Sequence, residues 1–281
     1  MTTIAITAAT GQLGRLAVEK LKQKHPAHQI VAIVRNVEKA QNLAVTVRQG
    51  DYNDRLALVQ ALQGVDKLYL ISSNELGKRA EQHQNVIDAA KTAGVTHIVY
   101  TSLLRADSSP LSLAKEHRLT EQALKQSGVT YTILRNGWYT ENYTDTLAAA
   151  ISNGALYGSA GDGKISSASR EDFAEAAVAV LTGEGHENQT YELAGDTAYT
   201  LSELAAEASK QTGKTITYVD LTETDYAKAL SEAGVPADFA QLIAGWDTSA
   251  KNGALFSDDK TLSRLIGRST TALPDSVKAA L

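Results

Sequence analysis

The chain contains no cysteine. That excludes disulfides, thiolate metal sites and a cysteine nucleophile in one step, and it fits a reducing compartment. A basic excess is also lacking: 27 Lys and Arg stand against 32 Asp and Glu, for a net charge of −5. No general attraction to nucleic acid or to an anionic membrane is expected from that balance. An anionic ligand would have to be held by local donors. No stretch approaches the roughly 20 apolar residues of a membrane span. The start, Met1-Thr2-Thr3-Ile4-Ala5-Ile6, lacks the basic region, apolar run and cleavage site of a secretory leader. His25, His28 and the other histidines show no metal-ligand spacing, so no metal is expected. Internal repeats, low-complexity tracts and long charge runs are missing too. The expectation is a soluble, cytoplasmic protein.

What is present is an ordinary globular composition, 43% hydrophobic and 21% charged over 281 residues, enough for one large or two modest domains. Short apolar runs at Ile4–Thr7, Ile30–Val34, Val45–Gln49, Lys67–Ile71, His97–Thr101 and Thr130–Leu134 read as strands. Helical patterns fall between them at about Gly11–Lys24, Val37–Leu43, Asp54–Leu62, Lys78–Ala93 and Ser112–Gln126, and Gly94 and Gly128 punctuate the last two. Parallel strands need helical crossovers, so this alternation predicts an α/β fold with a doubly wound parallel sheet. After Leu134 the rhythm changes. An irregular, glycine-rich stretch over Gly154–Gly163 precedes a helix over Arg170–Leu181 and a short strand, Thr190–Leu193, that can return to the main sheet. The rest is mainly helical, at about Leu201–Thr212, Asp225–Ala233, Ala237–Ala244 and Asp258–Ile266, with a strand near Thr215–Val219. The expected division is a dinucleotide-binding domain over 1–135 and a smaller, mainly helical substrate-side domain over 136–281.

The first strand-to-helix turn reads Thr7-Ala8-Ala9-Thr10-Gly11-Gln12-Leu13-Gly14. Gly11 allows close approach to a pyrophosphate, Gly14 allows tight helix packing, and the helix start offers free amides to an anion. Thr10, Gly11, Gln12, Leu13 and Gly14 are therefore candidate cofactor contacts. Strand two ends at Arg35, with Lys39 one turn later. A carboxylate there selects NAD, whereas a basic residue accommodates a 2′-phosphate, so NADPH is the expected cofactor; the alternative for Arg35 is a solvated surface arginine. Asp51-Tyr52 follows strand three, where a carboxylate can accept the adenine amino group. Ser72-Ser73, Thr101 and Asn136 end the next three strands, and Asn136 is placed to orient a nicotinamide amide. Each cluster alone reads equally as turn chemistry. Their shared edge of the sheet favours a common cleft.

Together Ala8–Gly14, Ile30–Asn36, Gly50–Asp54, Leu70–Ser73, Tyr100–Leu103 and Leu134–Tyr143 resemble the NmrA-like branch of the atypical short-chain dehydrogenases. Within it, Gln29–Asn36, Leu134–Tyr143 and Ala160–Ser169 most resemble the bacterial NADPH-dependent quinone-reducing members, to which triphenylmethane-dye reductases are close. The likeness covers nearly the whole chain. It implies an extended Rossmann domain, NADPH contacts from the glycine loop and Arg35, a quinone pocket between the domains, and direct hydride transfer without flavin.

Two departures from the family pattern matter. The usual first glycine of the loop is Ala8, and the usual Tyr-x-x-x-Lys pair is missing, since Leu104 stands four residues after Tyr100. In plant reductases of the wider group a lysine lies one helix length before the glycine that opens strand six. His117, eleven residues before Gly128, occupies the similar place, and a histidine can donate a proton near neutral pH. A helix-surface role for His117 is the plain alternative, with Tyr139 and solvent as rival proton sources. Trp138, Tyr139 and Tyr143 suit stacking on a flat substrate or packing at the domain interface. Phe173 suits the core. The competing function is a dinucleotide-binding redox sensor without turnover, as in the founding NmrA regulator. A second is reduction of another flat conjugated acceptor, such as a triarylmethane dye. Either a monomer or a homodimer is compatible with the sequence.

Overall fold

The computed structural model describes residues 2–281. All six anticipated strands of the first half form: β1 (Ile4–Ile6), β2 (Ile30–Val34), β3 (Thr46–Gln49), β4 (Lys67–Leu70), β5 (His97–Leu103) and β6 (Thr130–Asn136). Between them lie α1 (Gln12–Lys22), α2 (Arg55–Ala61), α3 (Arg79–Ala93) and α4 (Ala114–Ser127), while Val37–Leu43 winds as a 3₁₀ helix. Next come α5 (Glu141–Thr144), α6 (Leu147–Asn153), β7 (Ala155–Gly158), α7 (Arg170–Thr182) and β8 (Gln189–Leu193). The chain ends with α8 (Leu201–Thr212), β9 (Thr217–Asp220), α9 (Glu223–Glu232), α10 (Ala237–Lys251), α11 (Thr261–Ile266) and α12 (Leu273–Ala280).

Seven strands form one sheet in the order β3-β2-β1-β4-β5-β6-β8, every neighbouring pair parallel. All five residues of β2 are buried, as continuous apolar strands must be when helices cover both faces. On one face Leu13, Ala17 and Leu21 of α1, Phe173, Ala177 and Leu181 of α7 and Leu262 of α11 share a core with Ile4, Ile6 and Ile30. On the other, Leu58, Val86, Ala90 and Leu124 from α2, α3 and α4 share a core with Ala5, Leu68 and Tyr100. The order of connection reverses between β1 and β4, which opens a crevice at the carboxyl ends of those strands.

A division at residue 135 does not follow this packing. β8 pairs with β6 as the seventh strand, and α7 lies in the first core with Leu193 and Leu262. A smaller layer is what remains: α6, β7, α8, β9, α10 and α12 around Leu147, Leu156, Leu204, Ala250 and Val277, joined to Leu103 at the end of β5. The stretch expected to be irregular contains β7, which pairs in parallel with β9. Its four residues give too short a pattern to stand out, and only the distant partner makes it a strand. Likewise α10 runs on to Lys251, past the Ala244 end expected for it.

Candidate active site

Between β1 and α1 the chain turns sharply, and Ala8 takes φ 48°, a left-handed backbone that favours glycine. Gly11 is the N-cap of α1 and brings no capping side chain, so the first amides of the helix are left for an external acceptor. A Cβ on Gly14 would lie 2.3 Å from the Ala8 carbonyl oxygen and 2.8 Å from the Ala9 Cα. Helix and turn therefore meet at a distance that only glycine permits. Thr10, Gly11, Gln12, Leu13 and Gly14 line one wall of a cleft of about 750 Å³. Arg15, Arg35, Asn36 and Lys39 line it as well. The Arg35 side chain is 66% exposed, and its one ion-pair contact among the described residues is Glu75 at 3.5 Å. That leaves its guanidinium open to a phosphate.

The other expected cofactor residues divide. Asp51, Ser72 and Ser73 line the cleft. Asp51 also accepts from the Asn53 amide at 2.8 Å, forming a local turn. Tyr52 lines the cleft with its ring, but its hydroxyl is committed at 2.6 Å to Thr7 Oγ1 and at 2.7 Å to the Ile71 carbonyl. Thr101 is buried and lines neither cavity; its hydroxyl accepts from the Ser72 amide at 2.7 Å. Thr101 thus holds the loop after β4 rather than facing the cleft expected to take the cofactor. Ser73 is fixed in a similar way, its amide donating to His83 Nε2 at 2.9 Å.

A second cavity of about 580 Å³ adjoins the first, and Ser72, Arg79, Tyr139 and Arg170 line both. Those four residues form the neck between them. Trp138, Tyr139 and Tyr143 line the second cavity, opposite Tyr226, Phe239 and Trp246 from α9 and α10. Trp138 also packs edge-on against Trp246, centroids 5.7 Å apart, as the packing alternative expects, while still lining the cavity. The Tyr139 ring rests edge-on against Phe173 and beneath the Arg170 guanidinium, 4.7 Å from its centroid. Burial, opposed by Asn136 and Arg170, pushes its phenol above the usual range. Asn136 lines the second cavity with both side-chain amide atoms buried; the Tyr139 hydroxyl is the polar group beside them, but no well-formed hydrogen bond satisfies the amide. A buried amide in that state is costly unless a ligand satisfies it. At the far end the Tyr143 hydroxyl donates to Asp247 at 3.3 Å, and burial pushes the Asp247 carboxyl up to about 6.

His117 differs from both expectations. It is buried, not on the helix surface, and it faces the second cavity. Its Nε2 lies 3.4 Å from Arg79 Nη1 and its Nδ1 2.7 Å from the Tyr100 hydroxyl. Arginine only donates, so Nε2 accepts and Nδ1 carries the ring proton. Burial, then the charge of Arg79 and the neighbouring His83, push its pKa down to about 3. The ring is neutral at neutral pH and holds no imidazolium proton to give.

Three residues escaped sequence reasoning. Arg79 and Arg170 carry no motif, and each is merely a charged residue in the first turn of a helix. Gln82 is buried beside the first cavity with an unpartnered side-chain oxygen. Nothing in its surroundings along the chain distinguishes it from an ordinary helix glutamine. Among the described residues no cluster of three or more histidine or acidic side chains is arranged to hold a metal.

A parallel sheet reversing between β1 and β4, with a glycine-lined cleft and an exposed arginine after β2, defines a Rossmann-type dinucleotide-binding protein. A family model described as NAD(P)H-binding matches residues 8–184. Quinone oxidoreductase 2 of Escherichia coli is 58% identical over 277 residues, covering 98% of this chain and 97% of that one. The crystal structure of the NADPH-dependent quinone oxidoreductase complexed with NADPH from Escherichia coli superposes with a TM-score of 0.96 at 57% identity, covering 99% of each chain. Triphenylmethane reductase of Citrobacter sp., complexed with NADP(H), gives a TM-score of 0.96 at 42% identity over 99% of this chain and all of that one. The chain belongs to the NAD(P)H-binding family, in the NmrA-like branch of the atypical short-chain dehydrogenases.

Proposed function

We propose that the protein is an NADPH-dependent oxidoreductase that reduces quinones by two electrons. The observation that carries this is the shared neck: a dinucleotide cleft opens through Ser72, Arg79, Tyr139 and Arg170 into an aromatic cavity sized for a flat ring. Kinship with the quinone oxidoreductase of Escherichia coli supports the choice of substrate. The residues fit the cofactor: the uncapped start of α1 for the pyrophosphate, Arg35 for the 2′-phosphate, and the under-satisfied Asn136 amide, at the second cavity, for the carboxamide. When bound, NADPH supplies the hydride. The chain's own part is to hold the ring of the acceptor between Trp138, Tyr139 and Tyr143 in alignment, where effective concentration provides most of the rate. His117, neutral and bonded on both nitrogens, is not the source of the remaining proton, which water supplies.

We assign the site to turnover rather than sensing because the second cavity opens onto the neck. No helix among the described residues is long and apolar enough to cross a membrane. We place the protein in the cytoplasm; its acidic net charge favours neither an anionic membrane surface nor nucleic acid as a partner, and a monomer and a homodimer fit the reading equally. The test is NADPH oxidation followed in absorbance with a small benzoquinone and no added flavin. Rapid, saturable turnover is expected. Tight NADPH binding without turnover would make the protein a sensor. The kinship with triphenylmethane reductase makes a triarylmethane dye the second acceptor to try in the same assay.

A further inference from the structure

Arg79 and Arg170 line both cavities, and Arg135 lies buried near the end of β6; two of these three arginines are neutralised. Arg170 pairs with Glu141 at 3.5 Å. Arg135 is held by Glu121, Glu192 and Asp107 at 2.6, 2.9 and 2.7 Å. Arg79 has no carboxylate within ion-pair distance of its guanidinium among the described residues; Glu116, the nearest acid in its hydrogen-bond set, takes its backbone amide instead, at 3.1 Å. The side chain is nevertheless not loose. Its Nε donates to the Ser73 carbonyl and its Nη1 points at His117 Nε2. His117 is fixed in turn by Tyr100. Two of the three guanidinium nitrogens are thus used to aim the group, and Nη2 has no partner among the described residues. Arg79 lines both cavities.

Arg79 is a half-buried, partly desolvated cation without an ion-pair partner, pre-aimed at the junction of donor and acceptor cavities. This is the arrangement that stabilises negative charge developing during reaction. Resting on the quinone-reductase reading, we propose that Arg79 is a catalytic residue whose free Nη2 donates a hydrogen bond to the quinone oxygen that becomes anionic. The quinone accepts a hydride, gaining two electrons and one proton, and is left as the hydroquinone monoanion. The dinucleotide is oxidised, and one proton from water completes the hydroquinone. His117 is a positioning residue for this step: as an acceptor at Nε2 it holds the guanidinium in place. This accounts for a buried histidine at the place where the wider family has a lysine, and for chemistry without the Tyr-x-x-x-Lys pair.

The first test needs no turnover. 4-Nitrophenol, a flat phenol whose ionised form absorbs distinctly, is titrated into the protein saturated with NADP⁺, in wild type and in Arg79→Gln. Wild type should bind the phenolate at least about tenfold more tightly than Arg79→Gln, the worth of one charge-assisted hydrogen bond. Affinity for the neutral phenol should change less than about threefold, within the scatter of an unpaired neutral contact. The second test is kcat/KM over quinones from electron-poor to electron-rich. A donor to the oxyanion helps most where that oxygen is most basic, so Arg79→Gln should lose about 10²-fold on electron-rich quinones and much less on electron-poor ones. Arg79→Lys should recover part of that difference. Equal losses across the series, or a weaker NADP⁺ affinity with phenolate binding unchanged, would make Arg79 a cofactor contact and overturn the proposal. Should Arg79→Gln not fold, wild type alone decides: its dependence on quinone electrophilicity should be shallower than that of free NADPH with the same quinones, and an equal slope overturns the proposal. Wild type that binds NADPH but reduces no quinone would instead bring down the quinone-reductase reading, and this proposal with it.

Discussion

At the scale of single residues, the site separates groups that bind from groups that were plausible acids. Arg35 is exposed and weakly paired, so its loss should leave the fold intact and remove one charge-assisted contact to the 2′-phosphate. Arg35→Ala is expected to weaken NADPH by roughly 10- to 150-fold and NADH hardly at all. Fluorescence titration of both cofactors checks this, and equal wild-type affinities would remove the assignment. His117 makes a contrasting case. Its pKa near 3 lies below any assay pH, so no limb of the kcat/KM profile between about pH 5 and 8 should belong to it. His117→Ala should cost less than about tenfold through looser aim of Arg79, below the roughly 10²–10⁴-fold typical of general acid catalysis. Tyr139→Ala, which removes a wall of the neck, should cost more. Steady-state kinetics with saturating NADPH compare the two, and a hundredfold loss for His117→Ala alone would restore it as the proton donor.

Elements bring these residues together, and the closest tolerance is where α1 meets the turn after β1. A Cβ at Gly14 would collide with two backbone atoms, whereas one at Gly11 would lie 3.2 Å from the Ala8 carbonyl. Backbone cannot rotate away as a side chain can. Gly14→Ala should therefore destabilise the protein by about 1–3 kcal/mol, the usual cost of overpacking, and Gly14→Val by more. Gly11→Ala should leave the urea midpoint nearly unchanged while weakening NADPH, because a methyl group there intrudes on the anion rather than on the helix. Matched denaturation and binding curves for the two alanine variants test the distinction. Equal midpoints would mean that α1 does not pack as tightly as the glycine geometry requires. On the substrate side, β7 gives α10 its anchorage: the Ser159 amide just after the strand donates to Asp247 at 3.1 Å, and the Ser159 hydroxyl to the Ala244 carbonyl at 3.0 Å.

For the whole molecule, buried groups with shifted pKa shape the response to acid: His83, His117 and Asp247, with His97, also lowered by burial, acting in the sense of the other two histidines. His83 and His117 are both lowered from 6.5 to about 3, first by burial. The unfolded chain binds protons at these sites below about pH 6.5 and the native protein does not. Their contribution to stability is complete above that pH and is lost as the pH falls. Asp247, raised from 3.8 to about 6, acts in the opposite sense: the native protein keeps its proton up to about pH 6, so its contribution is greatest at low pH and is lost as the pH rises. Between about pH 6 and 5 the two histidines outweigh the one carboxyl by one proton. Stability should fall by at least about 1.4 kcal/mol per pH unit over that window, since His97 adds in the same sense. In Asp247→Asn the opposing group is gone and the slope should reach at least about 2.7 kcal/mol per pH unit. Urea denaturation at half-unit steps of pH measures both slopes, and a flat wild-type profile would mean that the histidines are not buried as neutral rings.

The fold class, the order of strands and helices and the first half of the cofactor cleft could be read along the chain, because they depend on local patterns. A run such as Ile30–Val34 is apolar throughout since both faces of a parallel sheet are covered, and Gly11 and Gly14 mark a turn whose geometry lies within a few residues. Arg35 and Asn136 were placed correctly at strand ends for the same reason. What folding decided depends on partners far along the chain. β7 is a strand only beside β9, and α7 and β8 belong with the sheet although they follow the point where the pattern breaks. Thr101 was drawn to the cofactor by its position, yet its hydroxyl is used by Ser72. His117 looked like an acid because histidine ordinarily titrates near neutrality, but desolvation and Arg79 depress it, and neither is written in its neighbours. Arg79 had no signal at all, since an arginine in the first turn of a helix is common. Its significance is that no carboxylate among the described residues lies within ion-pair distance of its guanidinium. Charge and solvation are properties of what surrounds a group in space, so composition and spacing specify the scaffold, and tertiary packing decides which polar groups are left free to act.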